Sequence, residues 1–244
     1  MGYNDENFEP MILDIETTGR DGIDDLLDIP AAPANYKDPQ KILDAKLEKL
    51  KAILDRAAID IYLNRCTAIG IWTPSLGVSI VTCQNLDEEK LALAALAVVI
   101  SNNGHRRRVI TFNGLHFDLA NLIVRARMHR LRFPLKISDI VPTWKHADND
   151  LMEVMTFQGK FAKRSLDFYC RIFDIDSDAP DDVKALNGAD MPKLAADGHY
   201  ELIAAHCRHD VVRTVALAER MDVIRETRLQ ENHAGREERP DPPF

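Results

Sequence analysis

Two carboxylates spaced two residues apart, Asp14 and Glu16, sit in the apolar run Met11-Ile-Leu-Asp-Ile-Glu-Thr-Thr-Gly19. The run reads as a short strand, in which alternation puts both acids on one face and Leu13 and Ile15 on the other. Side by side on a buried strand they would repel each other and lose hydration, so something cationic has to compensate. On an exposed edge strand they would simply be solvated. Two further acids can reach the same place, Asp118 at the start of a helix and Asp210 within the last helix. Four carboxylates converging on one pocket suit two hard divalent cations, Mg²⁺ or Mn²⁺. A metal pair roughly 3.5–4 Å apart clamps the attacking water and the leaving oxygen of an in-line phosphoryl displacement.

The elements that must position these acids follow from local signals. After the first strand, Asp21 to Asn35 is acidic and then Pro- and Ala-rich, a loop. Asp38-Pro39 opens a helix with Asp as cap and Pro at the first turn. Leu43, Leu47, Leu50, Leu54 and Ala57 form its apolar stripe, with Lys41, Lys46, Lys49 and Lys51 on other faces. The stripe is expected to pack on the domain, and a lid or partner-binding arm is the other reading. Cys66–Trp72 and Val78–Cys83, joined by Pro-Ser-Leu-Gly, form a β-hairpin. Asp87 caps an Ala/Leu helix that Asn-Asn-Gly stops after Ser101. Arg108–Phe112 is a strand, and the next segment turns into a helix ending near Met128. Ile137–Ile140 is a further strand, and helices follow near Leu151–Met155 and Ser165–Phe173. A loop spans Asp174–Asp182, and the last helix runs roughly His199–Arg225. Neighbouring strands followed by interleaved helices imply an α/β fold with a central mixed sheet flanked by helices.

Composition bounds the class. With 45% apolar and 29% charged residues, the chain has the balance of a soluble globular protein. No apolar run is long enough to span a membrane, and the first residues carry no secretory pattern. Four scattered cysteines without a Cys-x-x-Cys pair fit reduced core thiols. Together these imply a cytoplasmic location. A formal charge of −8 excludes a general nucleic-acid coat but not an enzyme whose acids hold metal.

Three segments occur in order: Asp14-Ile-Glu-Thr-Thr-Gly, Asn113-Gly-Leu-His-Phe-Asp118 and His206-Cys-Arg-His-Asp210. Together they resemble the three motifs of the DEDD superfamily of 3'–5' exonucleases, which has a ribonuclease H-like fold. The chain looks most like the predicted exonucleases related to the proofreading domain of family B DNA polymerases, and Ser165-Leu-Asp-Phe-Tyr is similar to a helix of that group. The resemblance spans about Pro10 to Asp222. It implies one exonuclease domain over 1–230 with an insertion at about 21–63, ahead of a disordered tail at 231–244. It further implies that Asp14, Glu16, Asp118 and Asp210 bind two cations and that nucleoside 5'-monophosphates leave one at a time from a 3' end.

One position departs from the family pattern. The polymerase-like branch places a Tyr four residues before the last Asp, where this chain has His206; the other branch uses a His five residues before, and here that is Ala205. His206 lies one turn from Asp210 on the same helix face, whereas His209 points about 100° away. His206 is therefore assigned as the water-positioning group and general base. A His near pKa ~6.5 can accept a proton that a Tyr near ~10 cannot. On that assignment activity falls on acidification.

Other residues carry two readings each. Asn113 and Phe117 match positions near the terminal nucleotide in relatives, though Phe117 fits the core equally. Thr17 and Thr18 could meet the 3' end or simply favour a strand. Arg125, His129 and Arg132, following Asn121 on one helix face, could track phosphates or be solvated. His105-Arg-Arg-Arg108 is expected to be solvated. Lys163 and Arg164 could contact a nucleic-acid backbone, and Asp150 and Asp167 could be capping groups. The leading reading is a metal-dependent exonuclease on single-stranded ends, DNA favoured. An exoribonuclease, a phosphoesterase of small nucleotides and a catalytically silent nucleic-acid-binding module are the alternatives.

Overall fold

The computed structural model describes residues 9–23, 25–28, 30–101, 107–141 and 149–224. Among the described residues four strands form one sheet in the order β3-β2-β1-β4: β1 (Pro10–Gly19), β2 (Asn64–Thr73), β3 (Gly77–Thr82) and β4 (Arg108–Ile110). β2 pairs antiparallel with both β1 and β3, while β4 runs parallel to β1, so the sheet is mixed as expected. Between β1 and β2 lies the inserted helix α1 (Pro39–Leu54), capped by Asp38 with Pro39 in its first turn.

Alternation along β1 assigns its two faces. Met11, Leu13 and Ile15 join a core with α2 (Leu86–Ser101) and α3 (Asp118–Met128). Ile12 belongs to the opposite core, with α4 (Leu151–Met155), α5 (Leu166–Ile172) and the long α8 (Tyr200–Arg220). Asp14 and Glu16 share the parity of Ile12, and so they face α8. Ile203, Cys207, Val211 and Val215 recur every fourth residue along α8 and bury it against that face. Before α8 come two short helices, α6 (Asp181–Lys184), which takes up the end of the expected loop, and α7 (Met191–Ala196); neither was anticipated from the sequence.

Gly70 sets how closely α8 approaches. It pairs with Asp14 in the β1–β2 register. A Cβ there would stand 2.7 Å from Cys207 Sγ and 2.8 Å from Val211 Cγ2. Gly70→Ala therefore pushes α8 away from the acid-bearing strand. The expected result is a stability loss of about 1–3 kcal/mol by urea unfolding, accompanied by weaker metal binding. Unchanged Mn²⁺ affinity would show that α8 does not need this approach.

Several expectations change. Most of the α1 stripe does not pack: Leu43, Leu47 and Leu54 are 49%, 54% and 38% exposed and no residue of the helix is buried, and only Ala57, in the 3₁₀ turn that follows, is buried. A stripe shows which residues share a face, not what covers it. The helix at Leu86–Ser101 is capped by Asn85 Oδ1, which accepts from the Asp87 and Glu88 amides, rather than by Asp87. Ile137–Asp139 is a single 3₁₀ turn, not a strand. The helix face carrying Asn121, Arg125 and His129 is neither a phosphate track nor solvated. Arg125 is 1% exposed and grips Glu89 at 2.6 and 2.8 Å, His129 Nε2 meets Glu89 Oε2 at 2.6 Å, and Asn121 accepts from Asn64 Nδ2 at 2.7 Å. Burial pushes the Glu89 carboxyl up, but bonds from Arg125 and His129 bring it below its ordinary value. Arg132 is exposed. Arg107 is also buried, bonded to Glu9, and Arg108 donates to Asn149 Oδ1. The Asn-Asn-Gly stop, His105, Arg106 and the tail at 231–244 lie outside the described residues.

Among the described residues no helix is long and apolar enough to cross a membrane. All four cysteines are free and buried, and burial raises every thiol, Cys83 to about 12 and Cys170 to about 11.

Candidate metal centre

Glu16 lies on the α8 side of β1, 6% exposed, and His206 Nε2 stands 3.6 Å from its Oε1 and 3.8 Å from Asp210 Oδ2. Glu16, His206 and Asp210 each bring one ligand atom to within 4.8 Å of the other two. Asp118 enters from the far edge of β1. β4 pairs with β1 only from Pro10 to Ile12, and beyond that the Ile15 amide is taken by Asp118 Oδ1 at 3.0 Å. The first turn of α3 thus brings a carboxylate to the strand where the sheet ends.

The loop before α3 is held by Asp150. Its Oδ1 accepts from the Asn113 amide at 2.7 Å and from the Met152 amide at 2.9 Å, and its Oδ2 accepts from the Leu115 amide at 3.0 Å. Asp150 is therefore both the cap of α4 and the anchor of the Asn113 loop. Asn113 adopts a left-handed φ of 62°, which Asn tolerates better than most side chains.

Electrostatics make the cluster costly as it stands. Burial pushes the Asp14 carboxyl well above the usual range, and the negative charges of Glu16, Asp118 and Asp210 add to it. Glu16 is raised by burial and then by Asp210 and Asp118. Burial carries Asp118 up to about 7, against the lowering bond from the Ile15 amide. Asp14 Oδ2 and His206 Nδ1 are buried without a hydrogen-bond partner among the described residues. Mutually repelling oxygens, one of them orphaned, fit a divalent cation, whose charge would relieve both the repulsion and the missing bond. A donor set of carboxylates with one imidazole is one that can hold a divalent cation.

The comparisons with known proteins agree with this geometry. A family model described as "Predicted 3'-5' exonuclease related to the exonuclease domain of PolB" matches residues 61–239, well over half of the chain. The chain belongs to that family. It is a DEDD, ribonuclease H-like 3'–5' exonuclease domain related to the proofreading exonucleases, carrying a helical insertion after its first strand. Neither the curated proteins nor the solved structures give a match. The exonuclease-family match contains Asp118, His206 and Asp210 and begins after Asp14 and Glu16. The pairing of β1 with β2 and β4, the Ile15 amide on Asp118 and the approach of His206 to Glu16 tie those two acids to the matched part.

The remaining sequence candidates fall in different places. Thr17 Oγ1 donates to Ala58 O at 2.6 Å, and Thr18 Oγ1 accepts from Thr67 Oγ1 at 2.9 Å. Both threonines are buried past the bulge between Glu16 and Thr17, with their hydroxyls bonded inside the fold. Phe117 is half-buried against the α2–α3 core. His209 is a packing residue, 5% exposed with Nδ1 2.5 Å from Ser177 Oγ. Lys163 pairs with Glu153 and Arg164 lies over the Phe168 ring, both at the surface. One residue was missed. Arg213 Nη2 donates to Asp210 Oδ1 at 2.7 Å, and the signal for it was an opposite charge three residues on in a helix.

Proposed function

We propose that the protein is a metal-dependent 3'–5' exonuclease that hydrolyses single-stranded nucleic acid, DNA in preference to RNA, to nucleoside 5'-monophosphates. The observation that carries the reading is the cluster of Glu16, His206 and Asp210, whose ligand atoms lie within 4.8 Å of one another, with Asp14 and Asp118 near enough for the acids to raise one another's carboxyls. These four acids would hold two divalent cations. Bound there, the cations would supply activation of a water and neutralisation of charge on the departing 3' oxygen. His206 would orient the attacking water and take its proton at Nε2, the nitrogen that faces Glu16 and Asp210. Phe117 and the Asn113 loop flank the terminal nucleotide. One domain holding this site, acting in the cytoplasm with reduced cysteines, completes the reading.

The compact trio of Glu16, His206 and Asp210 favours a second role for His206, as a metal ligand. The two roles separate in His206→Ala. As base, its loss lowers kcat by about 10²–10⁴-fold and leaves Mn²⁺ affinity in place. As ligand, its loss weakens Mn²⁺ binding as well. The test of the function is a time course on 3'- and 5'-labelled single-stranded DNA and RNA with Mg²⁺ or Mn²⁺. A ladder shortening from the 3' end, faster on DNA, is the expected result. Intact oligomers of both kinds would overturn the reading.

A further inference from the structure

The Ser165-Leu-Asp helix has no part in the site as so far described, yet Arg213 joins it to Asp210. Ser165 caps α5, its Oγ accepting from the Phe168 amide, and this fixes Asp167 in the first turn. Asp167 Oδ1 stands 3.4 Å from Arg213 Nη1 on α8, and its Oδ2 is held by Arg171 at 3.0 Å. The other end of the Arg213 guanidinium reaches Asp210 Oδ1 at 2.7 Å. The side chain is only 12% exposed. Asp210 has two oxygens, and they are divided. Oδ1 is taken by Arg213, while Oδ2 faces His206 and, through it, Glu16.

We propose that Arg213, braced by Asp167, is a positioning residue for the metal centre: it fixes Asp210 so that Oδ2 is presented as a ligand atom. This rests on the metal-cage reading above. The physical need is clear. Asp210 sits on a helix opposite two strand acids that repel it, and a free carboxylate there would turn towards solvent, where it is already 22% exposed. A guanidinium offers parallel donors in a rigid fork, so it can hold one carboxylate oxygen while being held itself. Partners that orient a metal's ligands in this way are worth about 10–100-fold in metal affinity or activity. The same contact connects the Ser-Leu-Asp helix to the metal centre, because Ser165 sets the helix start and Asp167 sets the arginine. Arg213 also repels a cation through its own charge. If that effect dominated, its removal would tighten metal binding, so the sign of the change decides between the two.

The test is Mn²⁺ binding without nucleic acid, by calorimetry or electron paramagnetic resonance, on the full chain and on Arg213→Gln, Arg213→Lys and Asp167→Asn. The expected result is Mn²⁺ affinity weakened about 10–100-fold in Arg213→Gln. Arg213→Lys should be partly restored, and Asp167→Asn, which removes only the brace, should lose less. Circular dichroism confirms that each variant is folded, and the Lys variant keeps the charge should Gln fail to fold. Affinity within twofold of the parent in the Gln variant, or tighter binding, overturns the inference alone. Absence of Mn²⁺ binding by the parent overturns the metal cage and this inference with it.

Discussion

Asp14→Asn lowers 3'–5' hydrolysis by at least about 10²–10³-fold and at the same time raises the melting temperature of the metal-free protein. The loss follows from removing one carboxylate of the cage that stabilises charge in the transition state, where deletion of a single electrostatic contact has an effect of that size. The gain follows from the same charge. Asp14 is pushed well above its ordinary range by burial and by Glu16, Asp118 and Asp210, and its Oδ2 has no hydrogen-bond partner among the described residues. Asparagine has the same shape, removes the repulsion, and donates from its amide to the acids around it. Function and stability thus move in opposite directions, as a site strained for its chemistry requires. The check is a 3'-end degradation assay beside thermal melts in chelator. Turnover within tenfold of the parent removes Asp14 from the catalytic set. A lower melting temperature in chelator shows that its charge is not a burden on the fold.

Metal-free protein loses stability as pH rises from about 5 to 8, and Mn²⁺ restores it increasingly over the same interval. A carboxyl whose pKa is higher folded than unfolded holds its proton more tightly when folded. Its contribution is fully present below the unfolded value near ~4 and is lost as pH rises through the folded value. For Asp118 the folded value is about 7, and Asp14 and Glu16 are raised in the same direction. The window is therefore mildly acidic to neutral, opposite in sign to that of carboxylates held by salt bridges. A cation competes with those protons, so its stabilisation grows as they leave. At a hundredfold excess over Kd it amounts to about 2.7 kcal/mol, or roughly 5–10 °C for a chain of this size. Melts in chelator and in Mn²⁺ at several pH values read both curves. Parallel curves, or a chelated protein that gains stability with pH, would show that the acids do not share a buried cluster.

What the sequence could specify was local. Asp38 with Pro39, Ser165 and Asp150 act on amides within a turn of themselves, and the helix starts they mark are present. Alternation in β1 put Asp14 and Glu16 on one face because strand geometry has a period of two whatever surrounds it. Helix periodicity placed His206 beside Asp210 and turned His209 away for the same reason.

What faces a given side chain was decided only by tertiary structure. The leucines of α1 have a core-like spacing, yet the insertion leaves Leu43 and Leu47 in water. Arg125 and His129 have a surface-like composition, yet Glu89 arrives from α2 and draws them inside, because a buried carboxylate needs partners. The hydroxyls of Thr17 and Thr18 turn to Ala58 and Thr67, which are distant in the chain. Asp14 and Glu16 follow the same logic. Their common face could be read from spacing, but whether it met water or other acids depended on α8 closing over Gly70 and on Asp118 taking the Ile15 amide where β4 stops. Burial against like charge turns an Asp-x-Glu pair into a site that calls for a cation, and burial belongs to the assembled sheet and helices, not to any one segment.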